Sequence, residues 1–239
     1  MTEEKTNILI LVKTYPTLSD KYAELVCTAG IKDDGTWIRI YPVPFRLMEH
    51  EKKYKKYQWI EAPLIRNTKD FRPESYKITD LDQIKLKEII DTKYSWKERK
   101  EFIFKRVVVY KNLNELIKQK NEKNISLALF KPSKIKKFLV DDTDRNWDPD
   151  KLDKILKNIK QPNLFDTEEE KYKKENFEIV KKLPYKFSYK FEDITGTEST
   201  MMIEDWEIGQ LYWNSLKKCN NDEKCAIDKV TQKYNDDFI

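Results

Sequence analysis

Three neighbouring side chains have the residue types and the spacing to bind a flat ligand. Trp37, Arg39 and Tyr41 alternate with Ile38 and Ile40 in the stretch WIRIY, and alternate residues of a β-strand point to opposite faces. The isoleucine face is the natural core face, which leaves two aromatic rings and a guanidinium on the other. Such a surface suits the stacking of exposed nucleobases. The alternative is a second packed layer, in which a helix covers the rings and Arg39 forms an ion pair.

A lysine-rich run follows this strand. Residues 49–57 read EHEKKYKKY, in which four lysines are interleaved with two tyrosines. Lysines of this kind contact phosphates in nucleic-acid complexes, whereas many charge runs are solvated loops. Both interpretations stay open. The stacking hypothesis also places Arg46 in an open groove with the aromatic row.

Residues for catalysis or metal binding are scarce. Only four glycines occur, and no phosphate-binding glycine motif is present. The single histidine, His50, has no histidine partner, and Cys27, Cys219 and Cys225 are scattered. An odd, scattered cysteine set is typical of a reducing cytoplasm rather than of a disulfide framework, and zinc sites need tighter clusters. We therefore expect no metal, no cofactor and, on balance, no enzyme.

A nuclease stays open as a weaker alternative, since metal-dependent nucleases use clustered carboxylates. No recognised spacing links the candidate acids. These acids are Glu24, Asp33, Asp34, Glu74, Glu204, Asp205 and Glu207.

The overall charge permits a polyanionic partner. Lysine and arginine number 47 against 42 acidic residues, which gives a net charge of +5 and a pI of about 8.8. No apolar run approaches the length of a membrane span, and the polar start MTEEKTN is unlike a secretory signal. The sequence therefore predicts a cytoplasmic protein without a membrane partner.

Local patterns predict the elements that carry these residues. Two strands over residues 25–46 are joined by a turn at Asp33-Asp34-Gly35, where glycine supplies a positive φ. The stretch PYKFSYKF at 184–191 alternates with period two and predicts a strand whose four aromatics enter the core. Asp205 is placed to cap a helix, and residues 222–234 form a last amphipathic helix.

Several short motifs resemble, in their order, a bacterial family described as dual OB-containing domains. They include KTYP at 13–16, CTAGI at 27–31, WIRIYP at 37–42, RPES at 72–75 and DWEI at 205–208. The resemblance implies an α+β fold that is predominantly antiparallel β, with two small OB-like barrels decorated with helices. It also implies a nucleic-acid-binding component of bacterial defence or repair systems.

The resemblance divides the chain into three parts. We expect an N-terminal OB-like domain with a helical insertion at 1–140, a charged connector at 141–175, and a β-hairpin with two helices at 176–239. The segment before the DWE motif lacks the cysteines and histidine of relatives, so no metal is carried over. Relatives continue past the last helix, so the second barrel is expected to be open, with that helix or a second molecule covering the edge.

Together these patterns favour a nucleic-acid-binding module for single-stranded RNA or DNA, because stacking needs unpaired bases. A protein-interaction or sensor subunit is the alternative, since tyrosine, tryptophan and arginine are also favoured at protein interfaces. The complete candidate set for nucleic-acid binding is Lys13, Tyr15, Trp37, Arg39, Tyr41, Arg46, Lys52, Lys53, Lys55, Lys56, Tyr57 and Arg72.

Overall fold

The computed structural model describes residues 3–160, 167 and 176–238, in which twelve strands and five α-helices form an α+β fold. The strands are β1 (Glu4–Lys13), β2 (Thr17–Ser19), β3 (Ala23–Ile31), β4 (Trp37–Val43), β5 (Gln58–Arg66), β6 (Ser75–Ile78), β7 (Lys85–Ile89), β8 (Val109–Tyr110), β9 (Leu129–Phe130), β10 (Lys134–Asp142), β11 (Tyr185–Glu192) and β12 (Glu198–Met202). The helices are α1 (Lys93–Arg106), α2 (Leu113–Lys123), α3 (Pro149–Lys160), α4 (Trp206–Lys218) and α5 (Glu223–Phe238).

Five strands close into a β-barrel in the N-terminal half. β1 pairs with β3 on one side and with β5 on the other, both antiparallel. The ring is completed through β4 and β6, which pair with each other in parallel. Ile8, Ile10, Ile38, Ile40 and Ile60 fill the interior and are 0% exposed. The predicted core face of the WIRIY strand is confirmed.

The predicted turn between β3 and β4 is also confirmed. Gly35 has φ +85°, and its amide donates to the carbonyl of Lys32 over 3.0 Å. A Cβ atom at Gly35 would lie 2.3 Å from the carbonyl oxygen of Arg106. Glycine is therefore required here for two reasons, the left-handed backbone and the close approach of the end of α1.

A second antiparallel sheet contains β10, β11 and β12 in that order. Three of the four alternating aromatics of β11 are buried as predicted, namely Tyr185, Phe187 and Phe191, and Tyr189 packs half-buried against the same core. Helices α4 and α5 cover the sheet, and the Tyr234 ring stacks on Phe138 of the edge strand β10 at 5.2 Å. The structure thus contains one closed barrel and one open sheet with helices packed on it.

The expected division of the chain at residue 140 falls inside β10, which pairs with β11 of the second sheet. The short strand β9 pairs in parallel with β8. The expected connector holds the end of β10 and helix α3. Its most charged part, 168–174, lies outside the described residues.

The expectation of unpaired cysteines is wrong for two of the three. Cys219 and Cys225 form a disulfide, and their Cα atoms are 5.9 Å apart. The chain reverses between α4 and α5 at Asn220 and Asn221, which both have positive φ, and this reversal brings together two cysteines separated by six positions. Cys27 is a free thiol.

Among the described residues, none of the helices has the length and apolar character needed to cross a membrane.

Candidate nucleic-acid interface

The row Trp37, Arg39 and Tyr41 does not line one open groove. The Arg39 guanidinium forms an ion pair with Asp70 (Nη1 to Oδ2, 3.0 Å), and its side chain is only 11% exposed. Trp37 packs partly against the barrel and lines one cavity, while Tyr41 lines another. The ion-pair alternative therefore describes Arg39, and the proposed common groove is wrong.

Asp70 organises the arginines around it. It also accepts hydrogen bonds from Arg72 (Nε to Oδ1, 2.8 Å) and from the Ser75 hydroxyl (2.8 Å). Desolvation opposes its charge, but these hydrogen bonds outweigh the desolvation and hold the pKa of Asp70 well below its usual range. The predicted site residue Arg72 is therefore paired with the same carboxylate as Arg39.

Arg46 and Tyr15 connect the barrel to the second half of the chain. Arg46 Nη1 contacts both carboxylate oxygens of Glu24, at 2.6 and 2.8 Å, and Glu24 is 2% exposed. The Tyr15 hydroxyl donates to the carbonyl of Lys181 and accepts from the Trp213 indole. Both predicted residues are half-buried and have hydrogen-bond partners within the protein.

The four lysines of the 49–57 run have three different environments. Lys52 donates to backbone carbonyls including that of Ile84, and Lys53 donates to the carbonyl of Arg46. Lys56 contacts carboxylates of the second half of the chain. Lys55 is exposed, and its ammonium makes no ion pair in the described part of the chain. Of the four, Lys55 has the ammonium best placed for a phosphate.

A cleft of about 570 Å³ brings together four of the predicted site residues, a volume in the range of small-ligand sites. We call it the basic–aromatic cleft. Its lining residues are Lys13, Lys55, Lys56, Tyr57, Trp96, Arg99, Asp205, Trp206 and Glu207.

The rings of Tyr57 and Trp96 lie next to each other in this cleft, with centroids 6.3 Å apart and planes inclined at 57°. The Arg99 guanidinium lies 3.9 Å above the Tyr57 ring, and its Nε donates to the carbonyl of Ile90. Trp96 is 45% exposed and its neighbour Tyr94 is 85% exposed. The cleft thus presents open aromatic faces beside a cation that is held in place.

Two of the three aromatic residues that line the cleft, Tyr57 and Trp96, have an unusual backbone. Tyr57 has φ +58°, and Tyr94, Ser95 and Trp96 have φ between +50° and +64° at the start of α1. Residues other than glycine rarely adopt this left-handed backbone conformation, because it costs about 1–2 kcal/mol per residue. Strain of this kind clusters at functional sites, so its presence at both rings supports a ligand site here.

Helix α4 supplies the opposite wall of the cleft. Thr14 and Asp205 form an antiparallel bridge that docks the start of α4 on the end of β1. Asp205 caps the helix as predicted, since its Oδ1 accepts from the amide of Glu207. Lys56 lies 2.6 Å from Asp205 and 3.0 Å from Glu207. Burial opposes the charge of Lys56, but the two carboxylates outweigh it and raise its pKa to about 12.

Lys13 lies at the floor of the cleft, inside a cage of aromatic rings. Its ammonium is 4.0 Å from the centre of the Phe45 ring and 5.6 Å from the centres of Tyr54 and Trp206. It donates to the carbonyl of Tyr54 at 3.0 Å. Burial lowers the pKa of Lys13 to about 8, although Glu207 and Asp205 act in the opposite direction. Lys13 therefore supplies positive charge from beneath the cleft.

The sequence interpretation missed Trp96 and Arg99. Both belong to α1, which reads KYSWKERKEFIFKR. This stretch contains six basic and two acidic residues, and several of its aromatic residues are exposed. A basic helix of this kind is typical of nucleic-acid-binding surfaces. The left-handed turn that aims Trp96 at Tyr57 has no sequence signal, because none of its residues is glycine.

The described residues contain no group of three or more histidine, cysteine or acidic side chains placed to hold a metal ion. Asp205 and Glu207 contact Lys56 instead. The cleft can offer a ligand exposed ring surface and positive charge.

Two family descriptions divide the chain close to the end of α1. Residues 4–105 match a domain of unknown function, DUF8758. Residues 109–239, more than half of the chain, match a second domain of unknown function, DUF8757. The chain belongs to the DUF8757 family. The DUF8757 part begins at β8 and includes the second sheet with α4 and α5, so the basic–aromatic cleft lies where the two matched parts meet.

No curated protein and no solved structure matches the chain. Neither family description names a function, so the resemblance to dual OB-containing domains stays a prediction.

Proposed function

We propose that this DUF8757 protein binds single-stranded nucleic acid in the basic–aromatic cleft. The observation that carries the proposal is the arrangement of Arg99, Tyr57 and Trp96. An arginine lies over one ring, a second ring is exposed on the rim, and both rings are held by left-handed backbone. Aromatic platforms of this kind stack successive bases without sequence preference.

The charges of the cleft fit a phosphate backbone. Four basic and two acidic side chains line it, and the two acids are already paired with Lys56. Arg99 and Lys55 form no ion pair within the described residues, so they supply the phosphate contacts in this proposal. The surrounding α1 segment adds exposed lysines at 93, 97 and 100.

Unpaired bases are the preferred ligand because the rings lie in a cleft, where a base enters only when it is not stacked in a duplex. Single-stranded RNA and DNA both satisfy this requirement. In this proposal the closed barrel is OB-like and the protein acts in the cytoplasm, within a bacterial defence or repair system. This setting comes from the resemblance of the sequence motifs.

A protein-interaction role is the second candidate. It is favoured by one observation, the exposed apolar side chains Ile194, Met201 and Met202 on and beside β12. β12 is an edge strand of its sheet in the described part of the chain, and edge strands accept added strands from partners.

Matched alanine variants test the proposal. Trp96→Ala removes the rim aromatic, while Phe104→Ala removes another exposed aromatic of α1 that does not line the cleft. Fluorescence anisotropy with labelled single strands of RNA and DNA should show weaker binding for Trp96→Ala by about 1–3 kcal/mol. Phe104→Ala should bind like the parent. Equal binding by the two variants, or no binding by the parent, would overturn the proposal.

A further inference from the structure

A second cavity, of about 360 Å³, lies at the end of α1, around Trp37. Tyr76 and Tyr110 also line it, together with the apolar residues Val107 and Leu127. It contains none of the residues of the basic–aromatic cleft. Most of its lining is apolar, and two further groups give it polarity.

The first polar group is the carboxylate of Glu74. This residue is 7% exposed and lines the cavity. Its Oε1 accepts two hydrogen bonds of 2.6 Å from Ser126, one from the amide and one from the hydroxyl. Its Oε2 is buried and has no hydrogen-bond partner. A buried acceptor without a partner is costly and uncommon in a folded protein, which calls for an explanation.

The second polar group is the guanidinium of Arg106, also in the lining. Its Nε donates to the carbonyl of Asp33, and Nη1 approaches the carbonyl of Phe102 at 3.3 Å. Arg106 is exposed, and its guanidinium carbon also lies 4.0 Å from the centre of the Phe102 ring. A cation in the lining disfavours a cationic ligand and suits an anionic one, such as a phosphate.

We propose that this cavity binds a guanine nucleotide, with the base against Glu74 and the phosphate near Arg106. A carboxylate oxygen has two acceptor positions, and on Oε2 both are open. Guanine presents two adjacent donors, the ring N1–H and the exocyclic 2-amino group. Adenine and cytosine present an amino group next to a ring nitrogen acceptor, which the carboxylate repels.

The aromatic residues of the cavity have the complementary role. Trp37 and Tyr76 offer faces on which a base stacks, as in other nucleobase sites. The segment 124–128, which carries Ser126 and Leu127, has no regular secondary structure. It is the part of the wall that a base edge displaces to reach Oε2. This inference does not rest on the proposed function of the cleft.

Calorimetric titration of the full chain with guanosine, inosine and adenosine monophosphates tests the inference. Inosine monophosphate lacks only the 2-amino group. The parent should bind the guanosine nucleotide about tenfold more tightly than the inosine nucleotide, which is about 1.4 kcal/mol. Glu74→Gln should abolish this preference, whereas the exposed-site control Glu88→Gln should keep it. Trp96→Ala should also keep it, which separates this site from the cleft.

Equal affinity of the parent for all three nucleotides, or a preference that survives in folded Glu74→Gln, would overturn the inference. A Glu74→Gln protein that does not fold is replaced by Trp37→Leu, which removes the stacking face and leaves the carboxylate. Unchanged affinity of that variant for the guanosine nucleotide also overturns the inference.

Discussion

The guanidinium carbon of Arg99 lies 3.9 Å from the centre of the Tyr57 ring. The arginine belongs to α1 and the tyrosine to the loop before β5, so this contact joins two elements that are far apart in sequence. The hydrogen bond from Arg99 Nε to the carbonyl of Ile90 fixes the guanidinium over the ring. A ligand therefore finds the cation and the ring already in place, which lowers the ordering cost of binding.

Charge reversal at Lys55 should weaken nucleic-acid binding. Lys55 is the exposed lysine of the cleft, so Lys55→Glu should lower affinity for all sequences alike and reduce the salt slope by about one unit. Lys52→Gln is the control, because Lys52 donates to backbone carbonyls outside the cleft. Anisotropy titrations over a range of salt concentrations measure both slopes. Identical slopes for the parent and Lys55→Glu would assign Lys55 to ordinary solvated surface.

The contact between Lys56 and Asp205 should contribute to stability across the junction of the two matched parts. The side chains are 25% and 18% exposed, so solvent screens the pair only partly. A double-mutant cycle with Lys56→Met and Asp205→Asn should give a coupling energy of about 1–2 kcal/mol. Asparagine keeps the helix cap, which leaves the ion pair as the quantity measured.

Urea unfolding of the four proteins gives this coupling energy. A value within about 0.3 kcal/mol of zero would show that the two residues act independently.

Arg39→Gln should affect stability and not binding. Removing the guanidinium eliminates its bonds to Asp70 and Ser75, and hydrogen bonds to charged groups contribute about 1.5–3 kcal/mol each. We expect a lower free energy of unfolding and unchanged affinity for single strands. If the Arg39→Gln protein kept its stability but bound single strands about tenfold more weakly, the binding site would lie on the WIRIY face instead of in the cleft.

Burial of the Lys13 ammonium should make stability depend on pH. Lys13 loses its proton near pH 8 in the folded protein and near pH 10.5 in the unfolded chain. Between these values the unfolded chain binds more protons, so the free energy of unfolding should rise with pH. Below pH 8 both states are protonated and the contribution is constant.

Lys13→Met lacks this titration and provides the reference. The free energy of unfolding of the parent, measured against that of Lys13→Met, should increase from pH 8 toward pH 10. A difference that is independent of pH would show that the aromatic cage keeps Lys13 protonated throughout.

The sequence predicted the elements better than the site. Strong local patterns identified the β3–β4 hairpin, the buried face of Ile38 and Ile40, and the aromatic core of β11, because alternation and turn chemistry are local properties. The role of Arg39 depended on Asp70, which is brought beside it by the pairing of β4 with β6. No local pattern reports such a contact.

Only part of the basic–aromatic cleft could be predicted from the sequence, for the same reason. Lys13, Lys55, Lys56 and Tyr57 were predicted from the motif at the end of β1 and from the lysine run. Trp96 and Arg99 come from α1, and no local pattern in the sequence links that helix to the lysine run. Their position depends on the left-handed turn at Tyr94–Trp96, which follows from packing and not from the residue types.

Photo-crosslinking tests the central claim most directly. A single strand that carries a photoreactive base should be crosslinked to the full chain, and the attached peptides identified by mass spectrometry. The cleft predicts crosslinks at Tyr57 and in the peptide that contains Tyr94 and Trp96, and their loss in the presence of unlabelled strand. Crosslinks confined to other aromatics, such as Tyr41 and Trp147 of the cavity between the two halves, would contradict it.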